Sequence, residues 1–532
     1  MSALTLIVSF VKDAQWLREN ALDKFVISGN RKISHTEILQ NAAKAARGLE
    51  EECGIAVADS VAIFMRNDFA FFEMSLAAAA LGAYSVPVNW HYTADEANYV
   101  LKNCNAKALI IHADLLPNIM GGIPDECQIF VIETPTELQE AYQVSPEAAL
   151  VPKDKTGWYD WIEDFDPLDP RDIGSPGAMI YTSGTTGRPK GVRRKAGTAA
   201  EMNNLYATVN QAFDIGPSKR TIIPAPLYHS APNTYGILCV VMGMDETVLM
   251  PRFEPEELLR LIEKHKTTHL QTVPTMFVRM LKLPKEQREK YDVASLEFVV
   301  HAAAPCPPDI KQQMIDWWGP VINEYYGATE VGAVSFLNSD QWLSHRGSVG
   351  KAMNNCEIVI LDDDENQLPA NEIGDVFCRN MGGPDFTYHL DDEKRTGAEA
   401  HGLISVGDIG YLDEDGFLYL CDRRNDMVIS GGVNIYPAEI EACLISHPAI
   451  SDCAVFGIPD DDFGESLCAC VQVESGHNLA EDEVRSHVRE FMAGYKVPKV
   501  VDIRKDLPRE DSGKIFKRKL KEPYWQEQGR SI

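Results

Sequence analysis

Ala178-Met-Ile-Tyr-Thr-Ser-Gly-Thr-Thr-Gly-Arg-Pro-Lys-Gly-Val192 is the stretch on which the reading of this 532-residue chain turns. The apolar run Ala178–Tyr181 reads as a buried strand. It feeds a loop holding Gly184, Gly187 and Gly191, the hydroxyls of Thr182, Ser183, Thr185 and Thr186, and Lys190. Glycines let the backbone approach an anion and turn through positive φ. Successive free N–H groups form an anion-binding nest, to which hydroxyls and a lysine add donors. A Walker A loop is excluded, because its second glycine would have to stand at Pro189 and its Ser or Thr at Gly191.

Outward from this loop the chain alternates helical segments with short aliphatic runs. Upstream these are Ser60–Met65, Tyr84–Pro87 and Ala108–His112; downstream they are Thr221–Ile223, Thr268–Val273 and Phe298–Ala302. Strands separated by helices predict parallel sheets covered on both faces. After Trp342 the character changes. Gly347–Gly350, Glu357–Leu361, Asp375–Cys378 and Gly410–Leu420 read as short strands with turn signals such as Asp415-Gly416, a small antiparallel or barrel-like unit. A boundary is expected near Asp422–Asp426. Beyond it Glu439–Ser446, Ala454–Ile458, Leu467–Val473, Ala480–Phe491 and Val500–Ile503 form a compact α+β set.

Charge narrows the partners. Lys and Arg number 50 against 79 Asp and Glu, a formal charge of −29. That opposes non-specific nucleic-acid binding and docking on anionic membranes. No uncharged apolar stretch reaches the roughly 18–20 residues of a membrane helix, Tyr235–Met244 being among the longest. Met1–Phe10 lacks a basic segment before it, so a helix is expected there rather than a signal peptide. The 12 cysteines show no zinc-ligand spacing, and reduced thiols in a cytoplasmic protein are expected. Two basic islands interrupt the acidic background: Arg188, Lys190, Arg193, Arg194 and Lys195, and residues 496–521 with ten Lys and Arg against four acids.

The loop resembles the signature of the adenylate-forming superfamily of acyl-CoA synthetases, peptide-synthetase adenylation domains and luciferases. Further matches follow in the family's order: Ala303-Ala304-Pro305, Glu324-Tyr-Tyr-Gly-Ala-Thr-Glu330, Gly407-Asp408, Asp422–Glu441 and Pro508-Arg-Glu-Asp-Ser-Gly-Lys514. The resemblance implies an α/β fold. A large N-terminal domain (1–424) of two helix-covered sheets plus a β-barrel-like unit would carry a small mobile α+β domain (425–532). It implies an ATP-dependent acid:CoA ligase using ATP, Mg²⁺ and coenzyme A. Val299–Cys306 and Glu324–Glu330 are most like bacterial fatty-acid and bile-acid ligases, and Ser430–Glu441 also resembles aryl-acid ligases. An adenylation enzyme loading a carrier protein is the alternative; the short stretch after Lys514 favours a free-standing ligase. A homodimer is the assembly to test.

Residue by residue, the resemblance places Thr182, Ser183, Gly184, Thr185, Thr186, Gly187 and Lys190 on the phosphates. Ala303, Ala304, Pro305, Glu324, Tyr325, Tyr326, Gly327 and Ala328 would surround the adenine, with Tyr326 stacking on it; the family usually has glycine where Ala303 stands. Thr329 would bond the α-phosphate and Glu330 hold Mg²⁺, a single carboxylate beside phosphate oxygens being a usual magnesium ligand set. Asp408 and Arg423 would take the ribose. Lys514 is the catalytic lysine, a compact cation suited to phosphate. Asn425 would be the hinge, where relatives carry Asp or Lys. Ser430, Gly431, Gly432, Tyr495 and Lys499 would meet CoA. His229, counted with the catalytic residues, would gate an acyl pocket formed with Ala302 and Tyr326.

Overall fold

The structure is a computed structural model that describes residues 24–171, 173–182, 189–509 and 515–526. A nine-stranded sheet runs in the order Lys351–Ala352, Gly332–Leu337, Ile322–Ala328, Phe298–His301, His269–Thr272, Arg220–Ile223, Glu246–Leu249, Phe25–Ser28, Arg31–Ser34. Its six inner strands, from Ile322–Ala328 to Phe25–Ser28, are parallel. Its margins are antiparallel, because turns as short as Gly29–Asn30 and Thr329–Val331 cannot make a crossover. A second sheet of five strands, Tyr84–Pro87, Ser60–Phe64, Ala106–His112, Gln128–Ile132 and Thr156–Gly157, is parallel throughout.

Connecting helices carry the marks that start and stop them. Pro255–His265 opens on a proline at its first position with Glu256 and Glu257 in the first turn, and ends with Lys264 and His265, so both ends complement the helix dipole. It buries Leu258, Leu259, Leu261 and Ile262 on one face. Phe69–Ala80 is buried almost all round and is capped by the Asp68 carboxylate on the Phe69 N–H, 2.8 Å. Phe71, Phe72 and Met74 share one apolar cluster with Ile63 and Ile110 of the five-stranded sheet and Val26 and Tyr325 of the nine-stranded sheet. That shared core makes the two sheets one body.

The barrel-like unit is antiparallel: Cys356–Leu361, Gly374–Asn380, Leu403–Leu412 with Glu399–Ala400, and Leu418–Arg423. Gly347–Gly350, expected as a strand, is instead a turn joined by a single bridge from Gly350 to Leu418. Gly350 sits at φ +106° with the Phe336 carbonyl 2.4 Å from where a Cβ would be, so strand geometry gives way to close backbone approach. Beyond residue 427 a further sheet joins Val428–Ser430, Val433–Ile435, Ile450–Asp460, Gly464–Val473 and Val500–Arg504. Its own cores include Ile440, Leu444, Val455, Val471, Val484 and Val488, and on the other face Phe456, Cys468, Cys470 and Leu520. Lys282 of the larger body reaches across to this sheet, donating to the carbonyls of Ile450 (3.1 Å) and Ser451 (2.7 Å) and pairing with Glu474 (3.1 Å).

One buried ion pair underlies the strand Ile322–Ala328. Lys311, fully buried on helix Pro308–Trp318, donates to Glu324 Oε2 at 2.6 Å, with the His301 ring 3.5 Å from the same oxygen. Burial pushes the Glu324 carboxyl up despite Lys311, and pushes His301 well below its ordinary value, so the imidazole is neutral. Removing one partner leaves an uncompensated buried charge. Lys311→Met should therefore cost about 3–5 kcal/mol, and Lys311→Met with Glu324→Leu should recover most of it, read from denaturant unfolding of the full chain.

Candidate active site

A cleft of about 3240 Å³ opens above the strand ends of the nine-stranded sheet, bounded by the barrel-like unit, by Arg509 and by residues from Ile515 to Glu522. Its geometry starts with a hairpin. Strands Ile322–Ala328 and Gly332–Leu337 are joined by Thr329-Glu330-Val331, with Gly332 at φ +72°. A Cβ on Gly327 would lie 2.0 Å from the Gly332 carbonyl oxygen, so only glycine allows the strands to close there. Alternation then sends Tyr325 and Tyr326 to opposite faces. Tyr325 packs edge-on against Phe213, ring centroids 5.4 Å apart. Tyr326 joins the barrel-side cluster with Val192 and Cys378, and its hydroxyl donates to Asp408 Oδ2 at 2.7 Å. Burial first, and then Asp408, hold the Tyr326 phenol well above its ordinary value, so it stays a donor.

Asp408 and Arg423 stand directly opposite each other on the antiparallel strands Leu403–Leu412 and Leu418–Arg423, with Nε 3.3 Å from Oδ1. The turn-and-return between them accounts for their separation in sequence. Glu330 Oε1 accepts the Tyr388 hydroxyl at 3.0 Å, while Oε2 bonds to no described residue. A half-buried carboxylate with one oxygen unengaged by described residues, beside a hydroxyl and a run of turn residues, suits a hard divalent cation that keeps waters and phosphate oxygens as its other ligands.

Thr182, His229, Ala302, Ala303, Ala304, Pro305, Glu324, Tyr325, Tyr326, Gly327, Ala328, Thr329, Glu330, Asp408, Arg423 and Asn425 all line the one cleft. Glu324 does so only at its margin, its carboxylate being committed to Lys311. Lys190 is ion-paired with Asp391. Ser183, Gly184, Thr185, Thr186, Gly187 and Lys514 lie outside the described residues. Ser430, Gly431 and Gly432 are not brought to the cleft: they form the tip of an exposed two-residue hairpin whose glycines have φ +57° and +82°. Tyr495 and Lys499 are also exposed and away from it, and Lys499 donates to Asp460 at 2.6 Å. Asn425 sits in the turn after Arg423, where the neighbouring Arg424 is held by Asp375 (2.5 Å) and Asp363 (2.9 Å) of the barrel-like unit.

Sequence reading missed Tyr388 and Lys394, which reach the cleft from a strand and helix about two hundred residues past the loop. No local pattern marks them. The Lys394 ammonium lies 4.2 Å from the Tyr388 ring centroid, and its pKa is lowered, chiefly by burial and then by Lys190.

The chain resembles known proteins along most of its length. The AMP-binding enzyme family matches residues 14–383, and the AMP-binding enzyme C-terminal domain matches 439–514. A long-chain-fatty-acid–CoA ligase of Bacillus subtilis (strain 168) is 29% identical over 94% of this chain and 92% of its own length. A 2-succinylbenzoate–CoA ligase of Geobacillus kaustophilus (strain HTA426) is 30% identical over 95% of this chain and 97% of its own. The crystal structure of ATP-bound MatB from Rhodopseudomonas palustris superposes with a TM-score of 0.81 at 25% identity, covering 98% of this chain and 99% of that one.

Ala303 carries a local strain that a substitution can measure. It lies at φ +74°, a region that costs an alanine about 1–2 kcal/mol and glycine nothing. Glycine's looser unfolded state offsets part of that gain. Ala303→Gly should raise unfolding free energy by up to ~1 kcal/mol, and β-branched Ala303→Val should lower it by more than ~1 kcal/mol, both by chemical denaturation.

Proposed function

The chain belongs to the AMP-binding enzyme family, and from that premise we propose that it is an ATP-dependent carboxylic acid:CoA ligase acting on a fatty acid. The observation that carries the reading is the convergence at one cleft of the Tyr326–Asp408–Arg423 constellation with the Thr329–Glu330 turn. In this reading Tyr326, with Ala303, Ala304 and Pro305, walls the adenine, and Asp408 and Arg423 take the ribose hydroxyls. Thr329 bonds the α-phosphate. Thr182 and the loop from Ser183 to Gly187 cradle the other phosphates, and Lys190 joins them by exchanging Asp391 for phosphate.

The substrate carboxylate oxygen attacks the α-phosphorus, an O–P bond forms, the bond to the β-phosphate oxygen breaks, and pyrophosphate leaves. The barrier is chiefly repulsion between anions, so fixed cations at the reacting oxygens carry the rate. Lys514 supplies one. Glu330 would hold Mg²⁺, which neutralises phosphate oxygens when bound. The thiol of coenzyme A then attacks the acyl carbon, a C–S bond forms, the acyl C–O bond to the phosphate oxygen breaks, and AMP leaves as the thiol proton passes to water. Rotation at Asn425 of the unit 425–532 against 1–424 would withdraw Lys514 and bring in Ser430, Gly431 and Gly432, with Tyr495 and Lys499 on the CoA nucleotide. The cleft face of the present arrangement, formed by residues around Phe516 and Lys517 and not by that hairpin, is consistent with the first half-reaction.

The acyl end supports a monocarboxylic acid with an apolar body. Helix Ala199–Phe213 offers Met202, Leu205, Tyr206, Val209 and Phe213 to the cleft at helical spacing, and helix Ser230–Val241 offers Ala231, Ile237, Leu238 and Val241, His229 standing at its N-cap. A second carboxylate placed against these apolar side chains would be desolvated without a partner. The aromatic pair Phe213–Tyr325 favours an aryl acid as the second reading.

A panel of fatty, aryl and dicarboxylic acids with ATP and Mg²⁺, with and without CoA, tests this. Acid-dependent pyrophosphate exchange and a CoA thioester are expected from an apolar monocarboxylic acid. Exchange without thioester from any of them would point to carrier-protein loading instead. Lys514→Ala should lower adenylation by ~10²–10³-fold while leaving thioester formation from supplied acyl-AMP within a few-fold of wild type. Equal loss in both would contradict the two-state hinge.

A further inference from the structure

Arg194 belongs to none of the motifs that carry the family reading. It ends the strand Lys190–Arg194, which leaves the phosphate loop and pairs with Phe386–Tyr388. Alternation puts it on the same face as Val192, which is buried beside Tyr326 and Tyr388. From there its guanidinium crosses to the other half of the site: Nη2 donates to the Thr329 and Glu330 carbonyls, 2.8 Å each. The Tyr84 hydroxyl, donating to the Arg194 carbonyl at 2.7 Å, holds the strand end in place.

No described carboxylate neutralises the charge of this side chain nearby. Among the described residues no carboxylate lies within 4 Å of it, and Nε and Nη1 have no hydrogen-bond partner. Glu330 and Asp385 attract it only at longer range; one Glu330 oxygen accepts from Tyr388, and Asp385 pairs with Arg379 (3.1 Å) and Arg395 (3.2 Å). The Arg194 side chain is half-buried. Partly withdrawing a cation from water without a carboxylate is costly to the empty protein. Two backbone carbonyls return only part of that cost, and a neutral amide would serve them as well. Arg194 also lines the cleft beside Thr329 and Glu330, where the functional reading puts the phosphates.

We propose that Arg194 is a positioning residue of the nucleotide subsite, which pins the Thr329–Glu330 turn by its carbonyls and supplies a standing counter-charge for the triphosphate bound beside it. The proposal rests on the ligase reading, and it separates two effects that a brace alone would not separate. A counter-charge acts on phosphates and not on the nucleoside.

The test uses the full chain, wild type against Arg194→Met and Arg194→Lys, with calorimetric binding of ATP with Mg²⁺ and of adenosine, and thermal unfolding without ligand. Arg194→Met should weaken ATP binding ~10–100-fold, the weight of a charge-assisted contact, and leave adenosine binding within about twofold. Its ligand-free melting temperature should match or exceed wild type, because an uncompensated charge has been removed. Arg194→Lys, which keeps the charge, should fall between the two in ATP affinity. Unchanged ATP affinity in Arg194→Met would overturn the proposal. Equal losses for ATP and adenosine together with a lower melting temperature would overturn it too, reducing Arg194 to a brace. A wild-type protein that binds neither ATP nor adenosine would instead remove the ligase reading on which the proposal stands.

Discussion

The approach of two backbones at Gly327 and Gly332 is the constraint from which the site follows. With a Cβ at Gly327 lying 2.0 Å from the Gly332 oxygen, the strands could not close, and the Thr329-Glu330-Val331 turn could not form where it does. That turn projects a hydroxyl and a carboxylate over the sheet end. The pleat just before it divides two adjacent tyrosines between two cores. Tyr325 goes to the core shared by both large sheets, and Tyr326 to the barrel-like unit, where its hydroxyl reaches Asp408. One backbone contact thus aligns three folding layers around a single cleft. The buried Lys311–Glu324 pair beneath fixes the strand from the other side.

The acidity of the chain gives this alignment its electrostatic meaning. A protein of formal charge −29 repels ATP, pyrophosphate and CoA at long range, so binding depends on cations held at the cleft. Two of the cations that line it are matched, Arg423 by Asp408 and Lys517 by Glu441 at 2.8 Å, and Lys190, which does not line it, is matched by Asp391. Such pairs are easily exchanged where they face water and rigid where they do not. Arg194 and Lys394 differ, since neither has a carboxylate within 4 Å among the described residues. The cleft therefore combines exchangeable pairs with standing positive charge.

Much of the architecture was legible in the sequence because its signals are local. Tyr84–Pro87 is a strand over the very residues expected, and Ser60–Met65, Ala108–His112 and Phe298–Ala302 differ from the observed strands by one or two residues. Apolar runs bounded by turn residues suffice when a strand is buried on both faces. Gly347–Gly350 failed because its glycines serve close approach and not pleating. In the site, the motif residues from Ala302 to Glu330 and the Asp408–Arg423 pair meet at the cleft, but the cause of that pairing is a cross-strand register that spacing alone does not disclose. Ala303 reads as a mild departure from a pattern and proves to be a left-handed residue. Arg194 read as one charge among five in a basic island. Its contact with residues 135 and 136 positions away is tertiary and has no sequence signature.

The central claim is that the acid is activated through an acyl-adenylate. Running a turnover with carboxylic acid labelled with ¹⁸O in both carboxyl oxygens, then analysing the products by mass spectrometry, tests it most directly. The bond that forms in the first half-reaction joins a carboxyl oxygen to the α-phosphorus, and that oxygen leaves with the nucleotide when the thiol attacks. The account predicts one ¹⁸O in the AMP released and none in the pyrophosphate. Label in inorganic phosphate with ADP as the nucleotide product, or unlabelled AMP alongside the thioester, would contradict it.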